Sequence, residues 1–413
     1  MATSRLADPD LPVVEELFAP GVPGPVAAAV ASVGARAEHA ALRQVTWWPG
    51  SSCTARWDVE MADGGPLTGG LDIVATTKRA PAGALEVVAD DDRVAVWAVP
   101  HDPFLPGLPA VLDSDVAADL VRRLGGGATT MRTRLRAHRP TRRAVVEMSG
   151  LGPDRLYAKV VRPGRARDLH DRHVELSEVL PVPPSLGVDD ERGVVVMSHL
   201  EPPTLRRVLE DPTAVLPDPG ELLALATGFP EVSDARTTSS PIERLPGLVE
   251  LLQAIVPHER ARLDWLLEAV GTDGVTDRQP VHGDFHEAQV LVDDGRVAGV
   301  LDVDGVGTGR PADDTATLLG HLAIWGTISN QPHRVRTWAD EVLRRADSVL
   351  DPVDLRLRVA AVVAGLATGS FRVQRADWPA DTSRRIDLAL RWVASARRIA
   401  DVEDEPSLTR LTG

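Results

Sequence analysis

The segment VHGDFHEAQVLVDDGRVAGVLDVDG, residues 281–305, decides the fold prediction for this chain. Its pattern predicts a loop that enters an apolar strand, a tight turn at DDGR and a second apolar strand that ends in acids. Two strands joined by a tight turn can bring together side chains that are distant in sequence. The polar side chains that we expect on these strands, and expect to converge, are Asp284, Gln289, Asp302 and Asp304.

These residue types suit phosphoryl transfer. That reaction needs an acid near the attacking hydroxyl, oxygen ligands for magnesium and a cation on the phosphates. Asp284 can be the acid, and Gln289 and Asp302 can offer oxygen atoms to Mg²⁺, a hard ion that prefers them. The cation can be Lys159, at the end of an earlier predicted strand. Only Lys78 and Lys159 among the 45 basic residues are lysines, so each marks a position where a compact ammonium can be needed, with a plain surface lysine as the alternative for Lys78.

The same motifs closely resemble the catalytic region of the aminoglycoside phosphotransferase/choline kinase-like family, which shares the protein-kinase fold. That family shows H-G-D-[LF]-H-x-x-N, then I-D-[FW]-[DE] and G-x-P-x-x-D-L-A. This chain has HGDFHEAQ at 282–289, LDVD at 301–304 and GRPADDTA at 309–316. The resemblance covers roughly residues 131–320 and implies an ATP- and Mg²⁺-dependent kinase with a small-molecule hydroxyl as acceptor.

The resemblance assigns roles to individual residues. It implies that Asp284 is the catalytic base, that Gln289 and Asp302 bind magnesium, and that Lys159 contacts the α- and β-phosphates. It also implies a glutamate partner for the lysine on the next helix, where we expect Glu175. The segment VMSHLEP (196–202) would meet adenine through the backbone of Ser198, His199 and Leu200.

Two features depart from the usual pattern of the family. Gln289 replaces the common asparagine, and capped bacterial maltokinase and glucosamine kinase-like enzymes resemble the chain there. Their extra N-terminal cap would account for residues 1–125. This resemblance implies a sugar or amino sugar as acceptor, with an aminoglycoside or another amino alcohol as the alternative. The second departure concerns the segment RPTRRAVVEMSG (139–150). It lies where the family has its phosphate-binding hairpin, but it contains no clear glycine-rich loop.

Tryptophan and carboxylate side chains in the C-terminal half suit a sugar or amino sugar, although each alone is more often structural. Asp304 can touch a second metal or cap its strand, and these two possibilities stay open. The candidate acceptor-site residues are His286, Asp304, Trp325, Asp377, Trp378 and Trp392.

The chain changes character near residue 205, from strand-rich to mainly helical. We therefore predict an α+β, bilobal, kinase-like fold with a cap at 1–125, a nucleotide-binding lobe at 126–200 and a helical lobe at 201–413. Residues 44–61 and 131–148 share an outline of strand, turn and strand. Each is followed by a strand that ends in a lysine, which suggests an internal duplication.

Composition excludes several classes of protein. A net charge of −15 argues against non-specific nucleic-acid binding and would favour a neutral or cationic substrate. We expect no membrane span and no secretory signal in MATSRLADPDLPVVEELF. The single cysteine, Cys53, excludes an internal disulfide framework and fits a cytoplasmic location.

Rival readings of the same motifs find less support. The LDVDGV segment also fits the first motif of haloacid dehalogenase-like phosphatases, but no lysine follows Lys159 and the remaining chain is helical. The GDFH motif resembles part of a binuclear metallophosphoesterase site, without the other acid and histidine clusters. A catalytically silent nucleotide-binding protein is the non-enzyme alternative, although Asp284 and Asp302 are both present.

Overall fold

The structure, a computed structural model, describes residues 6–62, 67, 69–89, 92–125, 130–150 and 155–404. The first five residues of the N-terminal segment considered above lie outside these ranges. The chain forms two compact units: one contains residues up to 174 with 183–199 and 371–376, and the other contains 175–182, 200–370 and residues from 377 onward. The predicted division at residues 125 and 200 stays a prediction.

The pattern of residues 11–39 predicts two short helices, and the first unit does begin with two short helices followed by an antiparallel sheet. The elements are α1 (Val13–Leu17), α2 (Gly24–Ser32), β1 (Ala37–Trp48), β2 (Ser52–Met61), β3 (Gly70–Thr76), β4 (Leu85–Ala89) and β5 (Asp92–Ala98). The strand order is β1-β2-β3-β5-β4. The sequence pattern did not predict β4. This edge strand is largely exposed, so it lacks the alternation of buried and exposed residues that marks a half-buried strand.

A second antiparallel sheet completes the first unit. Its elements are α3 (Gly107–Leu112), α4 (Ser114–Arg123), β6 (Arg132–Arg139), β7 (Arg143–Ser149), β8 (Arg155–Val161), α5 (Ala166–Ser177), β9 (Ser185–Asp189) and β10 (Val194–Ser198). Asp113 caps α4 by accepting the N–H groups of Asp115 and Val116. The proline- and glycine-rich segment 101–113 predicts a connector, but α3 lies within it and buries Leu108 and Val111 against the sheet.

The two sheets have the same strand order, since the second is β6-β7-β8-β10-β9. A pair of short helices precedes each sheet. This correspondence is what an internal duplication would produce. The two lysines do not end their strands, however: Lys78 follows β3 by two residues, and Lys159 lies inside β8 opposite Val145 and Val195.

The second unit is mainly helical, as predicted. The remaining elements of the chain are α6 (Leu205–Glu210), α7 (Pro219–Thr227), β11 (Arg236–Thr237), α8 (Pro241–Ile255), α9 (Arg260–Val270), β12 (Gln279–Val281), β13 (Val290–Asp293), β14 (Arg296–Val300), β15 (Gly307–Gly309), α10 (Asp313–Ile328), α11 (Pro332–Ala346), α12 (Pro352–Ala367), α13 (Gly369–Arg372) and α14 (Trp378–Asp404). The α+β class is confirmed. Within the described residues, no helix is long and apolar enough to cross a membrane.

Helix α12 forms the centre of the helical unit. Its sequence RVAAVVAGLA is apolar on nearly all sides, which suits a helix surrounded by others. It packs against α8, α10 and α14. Helix α8 begins with a capping box, in which Ser240 and Glu243 each accept the backbone N–H of the other.

Two small sheets hold the loops of the 281–305 segment. Strands β13 and β14 form a hairpin in which Val290 lies opposite Val300. Strand β12 pairs with β15, with Val281 opposite Gly307, and β15 also pairs with β11. The loop after β12 and the loop after β14 are therefore held side by side.

Candidate active site

The β13–β14 hairpin brings Gln289 and Asp302 together. Gln289 precedes β13 and Asp302 follows β14, so both lie just outside the strands that the sequence predicted would carry them. The backbone N–H of Leu301 donates to the carbonyl of Gln289 at 2.7 Å and extends the ladder by one bond. The Gln289 amide lies 3.4 Å from Oδ2 of Asp302. Two oxygen-bearing side chains thus meet at one end of the hairpin.

Asp302 has a left-handed backbone conformation, with φ of 57°. Non-glycine residues adopt this conformation rarely, and aspartate is among those that tolerate it best. Such local strain is typical of functional sites. The amide nitrogen of Gln289 faces the carboxylate, and rotation of the amide presents its oxygen instead. The pair can then offer Mg²⁺ a carboxylate and an amide oxygen, together with water and phosphate oxygens. The residues present therefore fit a magnesium ion.

The buried His282 stabilises the loop that carries Asp284. Its Nε2 atom lies 2.9 Å from the Leu301 carbonyl, and its Nδ1 atom accepts the backbone N–H of Asp284 at 3.2 Å. Burial lowers the pKa of His282 below its usual value, so the ring is neutral. The edges of Phe229 and Phe285 contact it. His282 therefore braces the loop.

Gly283 allows the loop to approach the segment after β14. Its φ is +82°, and a Cβ atom there would lie 2.6 Å from the carbonyl oxygen of Gly305. Only glycine accommodates both constraints without strain. This explains, for the described structure, why a glycine stands between His282 and Asp284.

The carboxylate of Asp314, at the start of α10, holds the same loop from the other side. Its two oxygens accept the backbone N–H groups of His282 at 2.6 Å and Gly283 at 2.9 Å. Asp314 is fully buried. Burial raises the pKa of Asp314 to about 7, although the two backbone donors oppose that rise. The position of the Asp314 carboxylate depends on α10, the helix that carries it, being fixed in place.

A buried ion network fixes the start of α10. Arg358 of α12 donates to Asp313 at 2.8 Å, to Asp273 at 2.9 Å and to Asp354 at 2.7 Å. Arg310 adds a contact to Asp273 at 3.3 Å. Burial would raise the pKa of Asp273, but the Arg358 guanidinium holds it well below its usual range. The network therefore favours the charged form of Asp273 and, through Arg358, anchors Asp313, the residue next to Asp314.

Asp284 is the accessible group of the loop. Its side chain is 48% exposed, whereas that of the neighbouring His286 is 10% exposed. The Nε2 atom of His286 lies 4.0 Å from Oδ1 of Asp284 and 3.4 Å from the Gln289 amide. The catalytic candidate is thus open to a substrate and close to the candidate metal ligands.

A second histidine joins this group from α10. The ring of His321 stacks on that of His286 with centroids 4.1 Å apart and planes 4° from parallel. Burial and the neighbouring His286 lower the pKa of His321. Behind both rings lies Glu287, whose side chain is 1% exposed. Burial would raise the pKa of Glu287, but His286, His321 and Arg206 lower it to about 2.

Arg206 of α6 connects this group to Trp325. It donates to Oε1 of Glu287 through Nε at 2.9 Å, and its guanidinium lies 4.7 Å from the centre of the Trp325 ring. Such a cation–π contact orders the aromatic ring. A chain of contacts through Glu287 and Arg206 therefore links the predicted residues His286 and Trp325.

The predicted nucleotide residues of the first unit occupy the second sheet. Lys159 is buried in the middle of β8. The N–H of Ser198 donates to the Pro184 carbonyl at 2.9 Å, and that of His199 donates to the Arg155 carbonyl at 3.0 Å. These two backbone donors are already used within the unit.

The remaining candidates lie in the second unit. Glu175 accepts the N–H of Ser233 at 2.9 Å and its hydroxyl at 2.7 Å. Asp304 is half-buried in a single 3₁₀ turn after Asp302. Asp377 pairs with Arg384 at 3.1 Å. Trp378 and Trp392 are half-buried on α14. The functional roles assigned to all of these residues stay predictions.

Residues 121–356, which are more than half of the 413 residues, match a family model described as the phosphotransferase enzyme family. The chain belongs to that family. This membership confirms the predicted kinase-like fold and the predicted enzyme class, an ATP-dependent phosphotransferase that acts on a hydroxyl group.

Solved structures similar to this phosphotransferase include three antibiotic-modifying enzymes. Macrolide 2'-phosphotransferase type I shares 16% identity, covers 65% of this chain and 95% of its own, and gives a TM-score of 0.44. A thermostable mutant of aminoglycoside phosphotransferase APH(4)-Ia, in its apo form, shares 15% identity, covers 66% of this chain and 97% of its own, and gives a TM-score of 0.47. Aminoglycoside phosphotransferase APH(3'')-Id from Streptomyces rimosus, with ADP and streptomycin, shares 18% identity, covers 61% of this chain and 98% of its own, and gives a TM-score of 0.40. A comparison with curated proteins finds no match.

Sequence reasoning missed part of this phosphotransferase site. His321, Glu287 and Arg206 join the site through packing of α6 and α10 around the loop, and no spacing rule links these three positions. The one signal in the sequence was Glu287, which stands between His286 and an apolar strand. A carboxylate buried at such a position needs a charged or hydrogen-bonding partner, and this need predicts further polar residues nearby. Arg358 and Asp273 were missed for the same reason.

Proposed function

We propose that this phosphotransferase transfers the γ-phosphoryl group of ATP to a hydroxyl of a sugar or amino sugar of the glucosamine type. The observation that carries the proposal is the convergence of Asp284, Gln289 and Asp302 at one end of the β13–β14 hairpin. An accessible carboxylate next to a pair of oxygen donors is the arrangement that phosphoryl transfer requires.

Asp284 is the proposed catalytic base. Its carboxylate is half-exposed, so an acceptor hydroxyl can reach it. It orients that hydroxyl and takes its proton as the bond to phosphorus forms. His282 supports this role, because its Nδ1 accepts the Asp284 N–H and fixes the backbone at the base.

Gln289 and Asp302 are the proposed ligands of Mg²⁺. When bound, the ion neutralises charge on the transferring phosphate. Gln289 reaches Asp302 across the hairpin, and its extra methylene compensates for the separation of the two loops. Asp304 is assigned to the same side as a candidate contact to acceptor or metal.

Lys159 and Glu175 are proposed to position the α- and β-phosphates. The burial of Lys159 in β8 supports a defined ammonium position. The adenine would meet the segment Ser198, His199 and Leu200. Since the N–H groups of Ser198 and His199 already have acceptors, we assign the donor role to Leu200.

The acceptor is proposed to contact the wall formed by His286 and Trp325. Trp325 is ordered by Arg206 and offers an apolar face of the kind on which sugar rings pack. Asp377, Trp378 and Trp392 are proposed to extend this wall. Gln289 and the strand-rich N-terminal segment, which resemble features of capped sugar kinases, support a sugar over an antibiotic.

An aminoglycoside or another amino alcohol is the second candidate, favoured by the net charge of −15. The test is ADP release from Mg-ATP across a panel of glucosamine, glucose, maltose and aminoglycosides. We expect the largest stimulation with glucosamine. If only the aminoglycosides stimulate, the second candidate replaces the first. If no compound stimulates and ATP still raises the melting temperature, the chain is a silent nucleotide-binding protein.

A further inference from the structure

We propose that Asp284, His286 and His321 form a binding site for a borderline transition-metal ion such as Zn²⁺, separate from the Gln289–Asp302 pair. One ligand atom from each of the three residues lies within 4.8 Å of the other two. The donor set is two imidazoles and one carboxylate, which is a combination that zinc binds and magnesium does not favour.

Ligands of a tetrahedral zinc ion at about 2.0–2.1 Å lie about 3.3 Å from one another, so the donors, now within 4.8 Å, must move closer to enclose the ion. The rings of His286 and His321 are stacked with their planes 4° from parallel, and one ring tilts so that both nitrogens point at the ion. The half-exposed Asp284 side chain can rotate inward, and water would complete the fourth position.

The second, independent observation is the oxygen atom Oε2 of Glu287. It is buried and has no hydrogen-bond partner within the described part of the chain. It lies 3.6 Å from Nδ1 of His286 and 3.9 Å from Nδ1 of His321. A buried acceptor without a donor is unfavourable, because it has lost its hydrogen bonds to water. Donation of an N–H group from the imidazole of His286 or His321 to this oxygen would remove that cost.

A metal-binding histidine commonly donates its other ring N–H to a carboxylate, which fixes the tautomer. With an ion on both Nε2 atoms, the protons of His286 and His321 stand on Nδ1 and face Glu287. The N–H of Ala288 donates to Nδ1 of His286 at 3.2 Å, which places the ring proton on Nε2. A metal ion on Nε2 would move that proton to Nδ1 and exchange this bond for donation to Glu287. Metal binding selects the tautomer that satisfies Glu287.

The consequence is inhibition by zinc. The ion would take the carboxylate of Asp284, the proposed base, and so prevent it from orienting an acceptor hydroxyl. Zinc at this site therefore competes with catalysis without displacing magnesium from Gln289 and Asp302. This second statement rests on the proposed function, whereas binding itself does not.

The binding test uses metal-free protein without ATP or acceptor. Titration with Zn²⁺ against a chromophoric chelator should give one ion per chain for the wild type. His321→Phe keeps an aromatic ring for stacking and removes both nitrogens, and should weaken binding at least tenfold. Glu287→Gln should weaken it about 10–100-fold. His333→Ala, which removes an exposed histidine of α11, is the matched control and should bind like the wild type.

Three results would overturn the site: no stoichiometric zinc on the wild type, equal binding by His321→Phe, or equal loss in His333→Ala. Asp302→Asn separates the two metal sites, because it should leave zinc stoichiometry unchanged. Loss of zinc in Asp302→Asn alone would place the ion at the magnesium ligands instead. A visible absorption band with Co²⁺ in place of Zn²⁺ should appear in the wild type and be absent from His321→Phe. A band that His321→Phe retains would also contradict the site.

The kinetic arm compares each variant with itself. Added zinc, at constant excess Mg-ATP, should remove most of the wild-type turnover and a smaller fraction of the turnover of His321→Phe. Equal fractional inhibition of both proteins would contradict the inhibitory role. Zinc binding is measured without substrates. If the protein shows no phosphotransfer, the proposed function is therefore wrong, but the zinc site is not contradicted.

Discussion

The buried carboxylate of Asp314 accepts the backbone N–H of Gly283 at 2.9 Å and so holds the residue that precedes Asp284. The same carboxylate accepts the N–H of His282. Loop position is therefore controlled by a side chain 30 residues away, at the start of α10. Its effect on catalysis is indirect, through placement of Asp284.

Asp314→Asn should lower kcat with little change in the affinity for ATP. The asparagine amide turns an N–H group toward one of the two backbone donors, so one bond is replaced by repulsion. Displacement of the loop by about 1 Å can cost about 10²-fold in rate. Steady-state kinetics with nucleotide binding measured separately checks this. Unchanged kcat would show that the brace does not matter for catalysis.

The same variant should alter the pH dependence of stability. Burial raises the pKa of Asp314 to about 7 in the folded state, against about 3.9 in the unfolded chain. The folded protein then holds a proton that the unfolded chain has lost, so stability from this group is present below pH 4 and declines as the pH rises to about 7.

Urea unfolding at pH 5 and pH 7.5 measures this contribution in wild type and Asp314→Asn. The wild type should lose more stability than the variant between the two pH values. Equal losses would mean that Asp314 does not titrate in this range.

Removal of the Arg358 guanidinium should destabilise the protein. Arg358→Met leaves the buried Asp273 and Asp313 without their main cationic partner, and breaking a buried pair in this way costs about 3–5 kcal/mol. Arg93→Ala is the control, because its pair with Glu86 is exposed and worth about 1 kcal/mol or less. Urea unfolding followed by tryptophan fluorescence compares them. Similar effects of both substitutions would refute a structural role for the network.

Several features of this fold follow from local pattern alone. The hairpin at 290–300, the C-terminal helices and the strands of both sheets except β4 and β9 show clear periodicity or turn residues. The motif residues Asp284, Gln289 and Asp302 flank a short turn, so chain connectivity itself brings the last two together. The meeting of Gln289 and Asp302 needed no knowledge of tertiary packing, whereas the position of Asp284 depends on Asp314 of α10.

Other features depend on tertiary packing and could not be predicted in this way. His321 reaches His286 only because α10 packs beside the loop, and Arg358 reaches Asp273 across 85 residues. Helix α3 is six residues long in a proline-rich segment, so its periodicity is too short to recognise. These are contacts between elements, which a single sequence does not encode as spacing.

Gln289→Ala should raise the concentration of Mg²⁺ needed for half-maximal activity. The variant removes one of the two proposed oxygen donors but leaves Asp302, so activity should recover in part at high Mg²⁺. Chelation of magnesium with EDTA should abolish turnover of the wild type. Activity titrations with Mg²⁺ at fixed ATP check both statements. An unchanged magnesium requirement in Gln289→Ala would remove this residue from the metal site.

The central claim is that Asp284 is the base of an ATP-dependent transfer to a sugar hydroxyl. The most direct measurement is the rate of phosphorylated glucosamine formation from Mg-ATP, followed by ³¹P NMR, in wild type, Asp284→Asn and Asp293→Asn. Asp293 is an exposed acid at the end of β13 in the same hairpin and serves as the matched control. We predict product formation by the wild type and Asp293→Asn, and a rate lower by about 10²–10⁴-fold in Asp284→Asn. A wild-type rate in Asp284→Asn would contradict the account.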